Sequence, residues 1–63
     1  MKTKNVYVLV YSNPDYVNVD VYSKEEDAIQ ALEDLAFDRD MEVNGSEAFG
    51  DEDYAIVEVK EVL

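Results

Sequence analysis

Three stretches of this chain read as strands from their apolar and polar positions, one apolar throughout and two alternating. Val6-Tyr7-Val8-Leu9-Val10-Tyr11 is apolar at every position and wholly β-branched, aromatic or leucine. Such a run predicts a strand covered on both faces, and so a central one. Ser12-Asn13-Pro14-Asp15 reads as a turn, with Pro14 suited to the first central position of a type I turn. Tyr16 to Tyr22 then alternates strictly, with Val17, Val19 and Val21 on one side and Tyr16, Asn18, Asp20 and Tyr22 on the other. That is a half-buried strand, paired with the first in a hairpin. At the other end Tyr54 to about Glu61 alternates again, Ala55, Val57 and Val59 against Tyr54, Ile56, Glu58 and Lys60.

Between these lies a helical period. Ser23-Lys24-Glu25-Glu26 has the form of a capping box, Ser23 accepting from the Glu26 amide and Glu26 reaching back to the Ser23 amide. Glu25, Glu26 and Asp27 suit the positive end of the helix dipole. The helix is expected from Lys24 to about Asp40, with Ala28, Leu32, Leu35 and Ala36 on one face and Ile29 at its edge. Asn44-Gly45 is a stop or turn signal. Met41 to Asp53 is expected as an irregular loop from which Phe49 docks on the core.

The predicted fold class is α+β. The order is ββαβ, a three-stranded, mainly antiparallel sheet of order 2-1-3 with one helix packed on one face. A right-handed crossover from the second strand to the third leaves the apolar first strand between them. Residues 1–63 form a single domain. No internal repeat, linker or low-complexity stretch interrupts it.

Length and composition add a constraint on stability. A 63-residue chain buries only about 60% of the surface it exposes when unfolded. Small domains of this kind usually add a disulfide, a metal or a second copy. The chain has no Cys, His or Trp, so disulfides and the usual nitrogen and sulfur metal ligands are missing. Self-association is the staple that remains, and a homodimer is expected. If the small valines 6, 8 and 10 face the helix, Tyr7, Leu9 and Tyr11 point outward. Tyr16, Tyr22, Tyr54 and Ile56 join them on an open, tyrosine-rich sheet face, the expected self-association surface. The bland alternative is a solvated sheet face whose tyrosine hydroxyls simply reach water.

Charge changes the picture most. Sixteen Asp and Glu stand against five Lys and Arg, a formal net charge of −11. Direct nucleic-acid binding places cations on phosphates, so this balance excludes it, and an RNA-binding sheet with it. Anionic membrane surfaces repel the chain equally. The favoured partner is a basic protein surface. The apolar run from Val6 to Tyr11 is too short for a signal core or a spanning helix, and a cytoplasmic location is expected. The outer helix face gathers Glu26, Asp27, Glu33, Asp34 and Asp38, with Phe37 about 180° from Ala28. Asp51, Glu52 and Asp53 form a second acidic cluster. Glu26 and Glu33 lie about 10.5 Å apart along a helix, a little more than one phosphate step of a DNA strand. Carboxylates at such intervals can imitate a phosphate track, with Phe37 as an anchor ringed by charge. The competing readings are a solvated helix face, an adaptation to high salt, or solubility. For Phe37 the competing reading is that the helix ends near Ala36 and the ring tucks beneath the loop.

Other chemistry is thin. Asp40-Met41-Glu42-Val43-Asn44-Gly45, running on to Asp51, approximates a calcium loop. It has Glu42 where Asp or Asn is usual, Asp51 where a bidentate Glu is usual, and a strand after it. No metal site and no cofactor are expected. Without His or Cys, and with no Gly-rich phosphate loop, no catalytic residue stands out and the chain is read as a non-enzyme.

A short, Cys-free, strongly acidic ββαβ chain with an acidic helix and an open sheet face resembles the small proteins of bacteriophages and mobile elements. Some of those are anti-restriction or anti-CRISPR inhibitors that imitate DNA. The likeness covers size, charge and layout, and carries over no residue by position. It implies an acidic inhibitor acting in the cytoplasm of a bacterial host, on a basic surface of a nucleic-acid-handling protein. The other reading is a structural or interaction module that dimerises through the tyrosine face, its acidity serving solubility.

Overall fold

A computed structural model describes residues 4–62. The elements are β1 (Lys4–Ser12), β2 (Val17–Tyr22), α1 (Glu25–Asp38), β3 (Glu42–Asn44), β4 (Glu47–Phe49) and β5 (Tyr54–Val62). All five strands form one sheet of order β2-β1-β5-β4-β3, and every neighbouring pair is antiparallel. The expected three-stranded sheet is therefore corrected to five strands. β1 pairs along its whole length with β5, from Lys4↔Val62 to Ser12↔Tyr54, and on its other edge with β2.

The two extra strands lie in the stretch expected as an irregular loop. They escape a reading by alternation because each is only three residues long, Glu42-Val43-Asn44 and Glu47-Ala48-Phe49. Gly45 and Ser46 form the connection, with Asn44 paired to Glu47. Gly45 has a φ of 67°, and a Gly at the first central position of a two-residue hairpin is the type II′ arrangement. Phe49 does not dock on the core. It is 45% exposed and packs its ring on Tyr54, 5.2 Å between centroids. The same hairpin takes apart the calcium-loop pattern, and no cluster of three or more potential metal-ligating side chains occurs among the described residues.

The helix starts one residue later than expected and without the capping box. Lys24 occupies the N-cap in an extended conformation with no side-chain cap, and its carbonyl accepts from the Ala28 amide. The C-terminus is closed by backbone alone. Met41 N–H donates to the Ala36 carbonyl at 2.8 Å and Asp40 N–H to the Phe37 carbonyl at 3.4 Å. With Asp40 at φ 56° this is a Schellman motif. Buried Met41 then packs beside buried Ala36, the apolar contact that accompanies such a cap.

The core lies between α1 and one face of the sheet. Leu9, Tyr11 and Val57 from the sheet meet Leu32 and Met41, with Ala28, Ala36, Ala48 and Ala55 filling the close approaches. This corrects the expected facing of β1 and β2. Tyr7, Leu9 and Tyr11 look toward the helix, and valines 6, 8 and 10 look away. The physical reason is volume. The helix presents alanines, so the facing strand must supply bulk, and Leu and Tyr fill that space where Val would leave a void. Pairing then carries β2 with it: Tyr7 lies opposite Tyr22, Leu9 opposite Asp20 and Tyr11 opposite Asn18. Val17, Val19 and Val21, expected under the helix, are 62, 53 and 63% exposed on the far side.

Candidate partner-binding site

The helix positions most of the acidic residues. Its buried stripe of Ala28, Leu32 and Ala36 fixes the rotation of the cylinder, so Glu26, Asp27, Glu33, Asp34 and Asp38 all end on the exposed side. Phe37 shares that side and is 90% exposed. The helix continues through it to Asp38, so the ring does not tuck beneath the loop. Among the described residues the one ion pair is Lys60–Glu58 at 3.9 Å, on a different face. Among the described residues none of the helix carboxylates forms an ion pair, although the Arg39 guanidinium is held protonated by Tyr11 and Tyr16 and, to a lesser degree, by nearby Asp38. Gln30 donates to Asp34 at 3.0 Å, and no basic residue sits in the last turn.

The second acidic cluster divides. Asp51 and Glu52 are exposed, at the tip of a tight turn that the Gly50 amide closes on the Asp53 carbonyl at 2.9 Å. A Cβ at Gly50 would stand 2.8 Å from an Asp53 carboxylate oxygen, so a side chain there would push the Asp53 carboxylate aside. Asp53 itself is engaged: the Tyr11 hydroxyl donates to it at 2.7 Å. Asp51 and Asp53 line an open bay of about 460 Å³ together with Asp40, Glu42, Phe49 and Arg39. Asp40 and Glu42 belong to this acidic surface by position; sequence spacing grouped them with Asp51 only as a calcium-loop pattern. The Gly45-Ser46 hairpin sets the actual arrangement by folding Glu42 back beside Phe49.

Tyr11 is the joint between the elements around the bay. The Arg39 guanidinium sits 5.0 Å over its ring and donates to the Tyr16 hydroxyl at 3.2 Å, while Tyr16 meets Tyr11 edge-on at 6.0 Å. Asn13 holds the turn by accepting from the Asp15 and Tyr16 amides, both at 2.8 Å. The Asn13 amide also donates to the Tyr11 hydroxyl at 3.3 Å, which favours the phenolate. The hydrogen bond to Asp53 and burial outweigh that and hold the phenol above its ordinary range. Tyr54 is held above its ordinary range as well, first by the hydrogen bond it donates to Glu47, at 2.9 Å.

The tyrosine-rich self-association face is not assembled. Leu9 and Tyr11 are buried, and Tyr7 and Tyr22 pack against the core. Tyr16 lies with Tyr22 along a cleft of about 180 Å³ between α1 and β2. Of that set only Tyr54 and Ile56 lie on the face away from the helix, beside Ser12 and Val10. The cleft is smaller than the several hundred Å³ usual for a small-molecule site. No helix among the described residues is long and apolar enough to cross a membrane.

No protein-family model matches this chain, and no curated protein or solved structure matches it significantly.

Proposed function

We propose that this protein is a non-enzymatic acidic inhibitor, a DNA mimic that occupies the basic surface of a nucleic-acid-handling protein in a bacterial host. The observation that carries the reading is Phe37, a large apolar side chain 90% exposed among carboxylates that form no ion pair among the described residues. Acidity for solubility alone gives no reason for that ring. An anchor that enters a partner's pocket while surrounding charges select a cationic rim does. Glu26, Asp27, Glu33, Asp34 and Asp38 are the residues assigned to the partner's Lys and Arg. Asp51 and Glu52, with Asp40 and Glu42 beside them, are the second contact. Asp53 holds Tyr11 and supports this surface from behind.

Capture from bacterial lysate tests the reading. The wild-type chain should retain a nucleic-acid-handling protein, added duplex DNA should compete it off, and rising salt should weaken it steeply. A Glu33→Lys, Asp34→Lys double variant should lose the capture. Retention of no such protein at low and moderate salt alike, or retention indifferent to DNA and to the double variant, would overturn it.

A further inference from the structure

We infer that the sheet face away from the helix is an isologous interface with a second copy of this chain, centred on the valines of β1 and β2. The first argument is the exposed valine row of β2. An antiparallel strand with one solvated face turns its polar side to water. β2 leaves both sides open: Asn18 and Asp20, on the helix side opposite Tyr11 and Leu9, are exposed as expected, but so are Val17, Val19 and Val21, which face away from the helix. A one-residue shift in pairing would exchange the two sides. The register instead keeps the valines out, next to Val8 and Val10, in one apolar surface continued by Ile56 on β5.

The second argument is charge, and it selects the occupant. The chain carries −11, so two copies repel through almost any surface. The face formed by β1, β2 and β5 is the exception. Its charged side chains are Lys4, Lys60 and Glu58, aligned on β1 and β5 with the outward valines. A basic partner is drawn to the carboxylates of the helix side, and this face offers it none beyond Glu58, already paired with Lys60. A like copy meets no net negative charge here, and a two-fold axis can set Lys60 of each protomer against Glu58 of the other.

A nine-residue strand is about 30 Å long and the three strands β1, β2 and β5 span about 14 Å. The outline of that face is roughly 400 Å², and side-chain relief raises its accessible area toward the lower end of the ~800 Å² per partner of a stable interface. Sheets packed face to face sit about 10 Å apart, a spacing that valine side chains fill. A lone copy has a thin core in which Leu32 is the large side chain sealed completely from solvent.

Sedimentation equilibrium on the full chain tests the inference. The wild type should show twice the 7.2 kDa chain mass at micromolar concentration, and its Tm should rise with protein concentration, as for any dimer whose dissociation is linked to unfolding. Val19→Glu, at an exposed edge-strand position, should raise the dimer dissociation constant at least tenfold. Phe37→Asp, on the opposite side, should leave it unchanged, which separates this interface from the partner-binding reading. A wild type of single-chain mass with a Tm independent of concentration would overturn the inference. So would a dimer indifferent to Val19→Glu and to Val21→Glu. If Val19→Glu unfolds the chain, the concentration dependence of the wild-type Tm decides alone.

Discussion

The two faces of the sheet are built on opposite rules. The covered face combines bulky Leu9 and Tyr11 with a floor of alanines, and its polar atoms find partners, Tyr11 on Asp53 and Arg39 on Tyr16. The open face repeats valine across β1 and β2, with Lys4, Lys60 and Glu58 on β1 and β5 and Glu42 and Glu47 on the short β3 and β4. The first is a jigsaw that fixes one helix in one place. The second is a flat, uniform surface that fixes nothing within the chain. A protein that distributes side chains this way has assigned its specific packing to the helix and left its generic apolar surface for contact outside itself. Most of the acidic charge follows the same division, concentrated on the exposed side of the helix.

The largest expected effect breaks the covered face. Leu32→Ala removes the side chain sealed at its centre and should cost about 2–5 kcal/mol, enough to unfold much of a chain this small, as read by urea denaturation. Asp40→Gly sharpens the comparison in the other direction. Asp40 holds the left-handed position of the helix cap at φ 56°, where glycine has no steric penalty. The substitution should therefore stabilise by about 0.5–1 kcal/mol, leaving the open face and its self-association untouched.

Alkaline pH probes one tyrosine on each face. Tyr11 and Tyr54 are both held above the ordinary phenol value of 10.0. A group with a raised folded pKa adds stability that is complete below its unfolded value and lost as pH rises through the folded one. Stability should thus be level below pH 10 and fall above it, and Tyr54→Phe should remove part of that fall. Thermal melts across the alkaline range, with tyrosinate absorbance, measure both. The smallest effect is that of Phe37→Ala on folding. At an exposed position it should change stability by less than about 0.5 kcal/mol while weakening the captured complex.

Much of this contrast was legible in the sequence, and the part that was not has a physical cause. The hydrophobic pattern located β1 by an unbroken apolar run, β2 and β5 by alternation and α1 by helical period, because each signal persists over several residues. It missed β3 and β4 because three residues hold barely one period, and the Gly45-Ser46 turn between them was hidden by the Asn44-Gly45 pair. Alternation also identifies two sides of a strand without saying which is inside. Valines 17, 19 and 21 read as the core side because they are the apolar side. The alanines of α1, which demand Leu9 and Tyr11 opposite them, decide otherwise. Phe37 is the reverse case: helical period placed it correctly at the centre of the acidic face, because the Ala28–Leu32–Ala36 stripe fixes the helix rotation. Asp53 was grouped with Asp51 and Glu52 by adjacency, and its bond to Tyr11, 42 positions away, has no local sign in the sequence.

The most direct test of this division sets two surfaces that are both exposed in a single chain against each other. A soluble paramagnetic probe should broaden the NMR signals of the Phe37 ring, which is 90% exposed. If the open face is closed by a second copy, the methyl groups of Val19 and Val21, 53 and 63% exposed in one chain, should be protected at concentrations where the dimer forms. Valine methyl signals broadened as strongly as those of Phe37 would contradict the account.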